Sequence, residues 1–523
     1  KQLQIGYTYN MALMVYIGVL LVTLIVYAWM KALQINQHWK KHGIPGPTPL
    51  PFIGNMLSML LLTKTQGEIL REFHEAFPDE PVVGFYYFMQ PRLLIRDRSL
   101  IDKIWIKDFS HFTSRQGEAD LLNDPINSNL FNLNGNVWRS IRVKFAPMFT
   151  TGKLRYMFTH INSVGNNFIQ HLEKTQNENV DSLDLMKTYT IDVISTTAFG
   201  MQPGPMDDPN NEFRQQGRQI MPANFLTFAK LIMIFIFPNL SQKLGVNFTP
   251  KSVNLYFCDA LKRVLNHRKL TGTVRNDFVQ QMISLQEKGV IKVDNPDASD
   301  EYLKIEDAPE MKIEPTDDLL AGQAFAFLLA GFDTTALGLM MSIFDMAANQ
   351  EIQEKARAEV RKVVDSLEGE VTYDSLKSME YLEGALKETL RIHSIAPMLF
   401  RKCNTKYKLP GIPYTVQVGD SVALSSFAIH MDPEVYPEPE KYLPTRWLDD
   451  SSFPAGSFIP FGYGPRICIG MRLAMVEIKS IVAKVLLNYK ISLHPSVQLP
   501  LTLNPVSVFN QPARNPAFIF TKI

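Results

Sequence analysis

The sequence predicts a mainly α protein with a minor β portion, a single large domain behind an N-terminal membrane-spanning helix. Three observations carry that prediction. Residues 11–30, MALMVYIGVLLVTLIVYAWM, contain no charged side chain. Apolar residues recur at helical spacing through most of the chain, whereas 82–96, VVGFYYFMQPRLLIR, is the stretch that reads as paired strands. No repeat and no second linker interrupts the chain after its Pro-rich stretch near residue 50.

Composition supports the same class. With 523 residues, 46% hydrophobic and 11% aromatic, the chain is too apolar to be disordered. Lys plus Arg is 53 against 52 Asp plus Glu, so the net charge is +1 and no nucleic-acid partner is expected. The three cysteines, Cys258, Cys403 and Cys468, include no CxxC pair, which excludes a disulfide framework and argues against zinc.

Taken in order, the apolar segment comes first. Twenty residues at helical rise span about 30 Å, a bilayer's hydrocarbon core, and exceed the roughly 7–15 residues of a signal-peptide apolar region. Lys31, Lys40 and Lys41 follow it and only Lys1 precedes it, so the positive-inside rule puts the body of the chain in the cytosol. Prolines 45, 47, 49 and 51 then predict a stiff extended spacer. The expected division is an anchor over 11–30, a basic and Pro-rich linker over 31–55 and one domain over 56–523. Within it, 82–96 predicts two strands around a Gln90-Pro91 turn, and helices are predicted over 152–174, 184–199, 316–349, 350–367 and 376–393. Residues 294–318 are acidic and predict a solvated loop, and Leu231–Phe237, LIMIFIF, is either core or a patch dipping into the bilayer surface.

The chemistry concentrates in Phe461-Gly-Tyr-Gly-Pro-Arg-Ile-Cys-Ile-Gly470, just before a helix-like run. Gly462, Gly464 and Gly470 allow unusual backbone angles and the close approach of a flat partner. A cysteine at a helix N-terminus is expected to favour its thiolate. Arg466 supplies a fixed positive charge nearby for a carboxylate on the same partner. No histidine lies close enough in sequence to pair with a nucleophile, so Cys468 suits an axial iron ligand. Phe, Gly, Arg, Cys and Gly at these spacings arise by chance on the order of once in ten thousand such chains. In the predicted central helix, FAFLLAGFDTTALGLMM is apolar nearly all round, so Asp333 and Thr334 inside it need a polar reason. A Thr hydroxyl there can bond back to a carbonyl and open a local bulge, and Gly331 leaves room for a small ligand. Glu388 and Arg391 share a helical face at i, i+3, a spacing most often seen in plain surface ion pairs.

At these residues the chain resembles the haem-thiolate monooxygenases of the cytochrome P-450 family, whose loop reads Phe-x-x-Gly-x-Arg-x-Cys-x-Gly. The resemblance covers nearly everything after the anchor. Ala330-Gly-Phe-Asp-Thr-Thr335 is similar to the family's oxygen-activation motif, Glu388-Thr-Leu-Arg391 to its Glu-x-x-Arg element, and Pro444-Thr-Arg446-Trp447 to its Pro-x-Arg-aromatic element. Trp138-Arg-Ser-Ile-Arg142 is similar to the helix that holds a haem propionate. The likeness is strongest to microsomal animal members, above all arthropod xenobiotic and steroid oxidisers, through Phe149-Thr-Thr-Gly-Lys-Leu154 and His430-Met-Asp-Pro433. Two departures stand out. Thr445 occupies a place where an acidic residue is common, and Ser394 one where a proline often follows; both are expected to qualify substrate shape.

The resemblance implies the cytochrome P-450 fold and haem b with Cys468 as axial thiolate. Around it would lie Phe461, Gly462 and Gly470 in the loop, and Arg466, Trp138, Arg142, Arg401 and Arg115 at the propionates. Thr334 would donate a hydrogen bond to the dioxygen being activated, with Asp333 relaying protons. Glu388, Arg391 and Arg446 would form a buried triad supporting the loop, so that Arg446→Ala gives protein without haem. Leu329, Ala330, Ile395, Ala396 and Met398 would face a lipophilic substrate. The implied partners are an NADPH-dependent cytochrome P-450 reductase, cytochrome b5, membrane lipids and a lipophilic small molecule, at the endoplasmic reticulum membrane. A haem-thiolate isomerase or dehydratase, or a non-catalytic haem-binding membrane protein, needs no acid–Thr pair and is disfavoured by Asp333 and Thr334.

Overall fold

Residues Gln2–Ile35 form one 34-residue helix, α1. The computed structural model describes residues 2–115, 128–175, 181–246, 249–293, 311–367, 369–448 and 453–523. Two described helices are long and apolar enough to cross a bilayer: Leu13–Ile35, whose most apolar stretch is wholly unburied, and Asp317–Ala348, whose most apolar stretch is 72% buried. Burial, not hydropathy, separates the candidate anchor from a core helix.

The short helix α2 (His38–Lys41) follows the end of α1 and docks on the body through Trp39. The buried Trp39 donates from Nε1 to Phe85 O at 3.0 Å. The Pro-rich stretch packs on the strand that follows: Gly84 N donates to Pro45 O at 2.8 Å. A Cβ on Gly46 would lie 1.8 Å from Gly84 O, so the segment's fixed course rests on docking as well as on its prolines. Helices α3 (Leu57–Leu60) and α4 (Gln66–Ala76) follow, the latter opened by a capping box of Thr65 and Glu68.

Strands β1 (Val82–Tyr87) and β2 (Gln90–Ile95) form the predicted hairpin, but the turn is at Phe88–Met89, not Gln90-Pro91. Phe88 takes φ +56, and Pro91 sits within the strand opposite Tyr86. The correction is physical: a proline needs no turn where its missing N–H breaks no ladder bond. The hairpin belongs to a four-stranded sheet of order β1-β2-β8-β5, with β5 (Met398–Lys402) and β8 (Ser421–Ser425) arriving from far along the chain. Three two-stranded sheets complete the β portion: β3 (Ile291–Val293) with β4 (Met311–Ile313), β6 (Tyr407–Lys408) with β7 (Thr415–Val416), and β9 (Tyr489–Leu493) with β10 (Phe518–Lys522). Part of the predicted 294–318 loop is therefore strand β4, because the apolar Met311 and Ile313 have β3 to pair with; residues 294–310 lie outside the described residues.

The remaining helices are α5 (Arg98–Asp102), α6 (Gly135–Phe145), α7 (Thr151–Lys174), α8 (Ser182–Ala198), α9 (Glu212–Arg218), α10 (Phe225–Ile236), α11 (Pro238–Lys243), α12 (Lys251–Thr271), α13 (Phe278–Glu287), α14 (Asp317–Ala348), α15 (Gln350–Asp365), α16 (Glu380–His393), α17 (Ser426–His430) and α18 (Met471–Asn488). Every predicted helix is present within a few residues of its expected ends. Helix α14 runs through the main core against α8, α12, α16 and α18. Thr316 caps it, accepting from Leu319 N at 3.2 Å, with Asp317 and Asp318 in the first turn. Residues 231–236 of the LIMIFIF run lie in α10, where Ile232 packs with Met56 and Phe85, while Phe237, just past its end, is exposed.

Candidate functional site

The cysteine loop is shaped by glycine and closed by one hydrogen bond. Gly462 and Gly464 adopt φ +88 and +73, and a Cβ on Gly464 would lie 1.9 Å from Trp105 O. Gly470 takes no such angle; it is the N-cap of α18, at φ −90. Cys468 N donates to Phe461 O at 2.8 Å. Cys258 and Cys403 are buried, whereas Cys468 is accessible. Protein still surrounds its thiol closely enough for burial to raise its pKa.

The helix start acts on the thiol as expected, and burial opposes it. The amides of Gly470 and Met471 do pull the pKa down, and so do Arg115 and Arg142, but burial outweighs them. Arg466 is not among the groups acting on Cys468. Its guanidinium turns to Trp138, with Cζ 4.3 Å from the ring centroid.

Three other segments bring basic groups to this loop, beside its own Arg466. Arg466 donates to Leu133 O at 2.5 Å, Arg115 to Arg466 O at 3.2 Å, and Arg142 of α6 to Ile467 O at 2.8 Å. Arg401 of β5 donates to Phe400 O at 2.9 Å. Burial, then the neighbouring Arg115, Arg401 and Arg142, push Arg466 down to about 7. Burial likewise lowers Arg401 and brings Arg115 to about 10. Among the described residues, no carboxylate acts on these arginines. Nε and Nη1 of Arg466, Nε of Arg401 and Nε1 of Trp105 are buried donors with no partner among the described residues. Four neighbouring guanidinium groups, Arg401 and Arg466 buried and Arg115 and Arg142 half-buried, with several donors orphaned, call for an anion bearing more than one carboxylate beside the thiol. A haem with its two propionates fits that donor set.

Along α14 the open residues fall on one face. Ala330 is exposed and Thr334 half-buried, one turn apart. Thr334 Oγ1 donates to Ala330 O at 2.6 Å, yet the helix runs on without the expected bulge. Gly331 does not open space for a ligand: a Cβ there would lie 3.3 Å from Ile194 Cδ1, so its smallness serves the packing of α8 on α14. Asp333 faces α8, where Lys187 Nζ lies 2.6 Å from Oδ1. Burial raises the Asp333 pKa and Lys187 pulls it partly back. Both line a cavity of about 20 Å³, room for one water. Sequence reading missed Lys187, because nothing local marks a lysine that pairs with a residue 146 positions away, 333 minus 187. It also missed Gln323, fully buried on α14, which donates to Ser128 O and accepts from Leu130 N, both at 2.8 Å.

Among the expected substrate residues, Ala330 lies beside Thr334. Leu329 and Ile395 pack with the main core, and Met398 packs with the Met56–Phe85 cluster. Ala396 is half-buried, its carbonyl accepting from Ser426 Oγ at 2.7 Å.

The triad is assembled around Glu388. Arg391 donates from Nε and Nη2 at 2.9 and 2.8 Å, Arg446 from Nε at 3.1 Å, Leu443 N at 3.1 Å and Trp447 Nε1 at 3.0 Å. Glu388 and Arg391 are fully buried. Arg391 also donates to His430 O at 2.7 Å. Ser394, expected to bear on substrate shape, is instead buried beside His430, with Oγ 2.6 Å from Nδ1.

Burial first, and Arg391 second, lower the His430 pKa to about 3, against about 6.5 for an unfolded imidazole. The folded state thus disfavours its protonation, and the associated stability is complete above pH 6.5 and drains as pH falls toward 3. Thermal unfolding midpoints should decline from pH 7 to 5, and His430→Gln should flatten that decline; parallel profiles would refute the assignment.

Comparisons with known proteins give the family. The family model described as "Cytochrome P450" matches residues 44–518. The chain is 32% identical over 491 residues to cytochrome P450 6k1 of Blattella germanica, covering 93% of each. It is 33% identical to a probable cytochrome P450 6a14 of Drosophila melanogaster, over 92% of this chain and 94% of that one. With cytochrome P450 6B7 of Helicoverpa armigera the identity is 32%, over 94% and 95%.

Proposed function

The chain belongs to the cytochrome P450 family, as a haem-dependent monooxygenase of arthropod type, and from that premise we propose that its site inserts one oxygen atom into a lipophilic xenobiotic, steroid or fatty-acid-like molecule. The reading rests on one observation above all: two buried and two half-buried guanidinium groups with no carboxylate acting on them among the described residues, gathered beside an accessible Cys468. Arg115, Arg142, Arg401 and Arg466 would hold the two propionates, Trp138 would brace Arg466, and Phe461, Gly462 and Gly470 would frame the thiolate. Bound there, haem supplies dioxygen activation, with the Cys468 thiolate as electron donor.

The protein's own groups manage binding and protons. The open face of Ala330 and Thr334 borders the substrate, and Leu329, Ile395, Ala396 and Met398 set the walls and their backing. The Thr334 hydroxyl keeps its proton on Ala330 O until a better acceptor arrives. The Asp333 carboxyl, on the α8 side with Lys187 and a water-sized cavity, takes protons from that side. Glu388, Arg391 and Arg446 hold the loop's support. The anchor over 11–30 and the linker over 31–55 would tether the 56–523 domain to the cytosolic face of the endoplasmic reticulum. There an NADPH-dependent reductase, aided by cytochrome b5, would deliver electrons, and lipid would deliver substrate.

The carbon monoxide difference spectrum of the reduced, solubilised protein tests the site: a long-wavelength Soret band is expected, and its absence from haem-loaded protein would overturn the Cys468 assignment. With reductase present, Thr334→Ala should consume NADPH with little product, and Asp333→Asn should lower kcat on the order of 10²-fold, the usual scale for a lost proton donor. Unchanged product per NADPH in Thr334→Ala would remove it from the mechanism.

A further inference from the structure

The cysteine loop is delivered by a segment, 457–461, that belongs to no strand among the described residues. Its backbone is held from outside by side chains: Tyr436 OH donates to Ser457 O at 3.1 Å, and Ile459 N donates to His430 Nε2 at 2.9 Å. His430 is fully buried at the end of α17. Because Nε2 accepts, the neutral ring carries its proton on Nδ1, which donates to Ser394 Oγ at 2.6 Å. Ser394 Oγ in turn donates to Arg391 O at 3.2 Å, and Arg391 Nη1 returns a bond to His430 O at 2.7 Å. Every donor has one acceptor, so this buried chain has a single consistent protonation pattern.

Ser394 reaches this place at a conformational cost. It closes α16 at φ +38, ψ 69, the left-handed region that non-glycine residues rarely adopt. Proline, locked near φ −65°, cannot take that conformation. The strain is retained because it aims the hydroxyl at His430. Downstream the order continues: Gly462 N donates to Ile459 O at 3.0 Å, and Cys468 N to Phe461 O at 2.8 Å.

We infer that Ser394 and His430 are positioning residues for Cys468: they carry the rigidity of the Glu388–Arg391 helix through Ile459 into the cysteine loop and so hold the thiolate in register. The inference deepens the proposed site and rests on Cys468 being the ligand there.

The test uses the full-length holoprotein with three variants, His430→Leu, His430→Gln and Ser394→Ala. Haem content, the carbon monoxide spectrum and amide hydrogen exchange at Ile459 are measured in each. His430→Leu should shift the ratio of thiolate-lost to thiolate-bound haem, at equal haem content, by about tenfold, the factor for leaving one buried amide unpaired. Exchange at Ile459 should quicken by a similar factor. His430→Gln, whose amide oxygen can accept from Ile459, should stay nearer the wild type. Ser394→Ala should move both readouts the same way by less, and it serves alone if His430→Leu does not fold. Wild-type ratios and exchange in His430→Leu and Ser394→Ala, or equal impairment of the Gln and Leu variants, would overturn the inference. A wild type without the long-wavelength band would sink the proposed site instead, while Ile459 exchange would still report on His430.

Discussion

Cys468→Ser gives a folded protein that lacks the long-wavelength Soret band and has lost monooxygenase activity on the order of 10⁴-fold or more, the scale for removing an essential reacting group. The change replaces one sulfur by oxygen at a residue outside the three hydrophobic clusters, so the core is untouched. The bond from residue 468's amide to Phe461 O is a backbone bond and survives. What goes is the ionisable sulfur, since a serine hydroxyl does not ionise near neutrality and is a poor donor to haem iron. The arginine cluster remains, so haem content should fall less than activity. Retention of the long-wavelength band by Cys468→Ser would place the ligand elsewhere.

Glu388→Gln should be the most destabilising single substitution of a charged residue here, costing about 3–5 kcal/mol, out of a typical total of roughly 5–15. Glutamine keeps the shape but leaves Arg391, fully buried, without its carboxylate. The expected product is aggregated or haem-free protein, measured by soluble yield, haem content and unfolding midpoint. Arg446→Ala should be milder than the motif suggests. Arg446 makes one bond to Glu388 and is itself slightly exposed, whereas Arg391 makes two and would still neutralise the carboxylate. Haem content should therefore rank wild type above Arg446→Ala above Glu388→Gln. The reverse order of the two variants would show that the ion network is not centred on Glu388.

Much of this site was legible because its chemistry is written in contiguous motifs. The loop from Phe461 to Gly470 needs its glycines and cysteine at set spacings whatever surrounds it, and the Glu388–Arg391 pair is one helical turn. Lys187, Gln323, His430 and Ser394 were not legible as site residues, for a shared reason. Each acts through a partner far along the chain, and a lone lysine, glutamine, histidine or serine has no periodicity that announces a partner. Gly331 shows the converse: its motif suggested space for a ligand, and only the neighbouring helix α8, through Ile194, revealed a packing contact.

The sequence by itself determined the class, the helical frame, the apolar N-terminal segment, the haem-thiolate chemistry and the cysteine that carries it. The first three follow from local rules of hydrophobic period, capping and glycine freedom, which act over a few residues, and the last two from motifs that resemble those of the cytochrome P450 family. The tertiary structure alone decided the electrostatics and the aim of the side chains. It turned Asp333 toward Lys187, gathered Arg115, Arg142, Arg401 and Arg466 with no carboxylate acting on them among the described residues, and set burial against the helix amides at Cys468. Charge interactions in a low-dielectric interior depend on which groups are neighbours and how much water is excluded, and both are products of long-range packing.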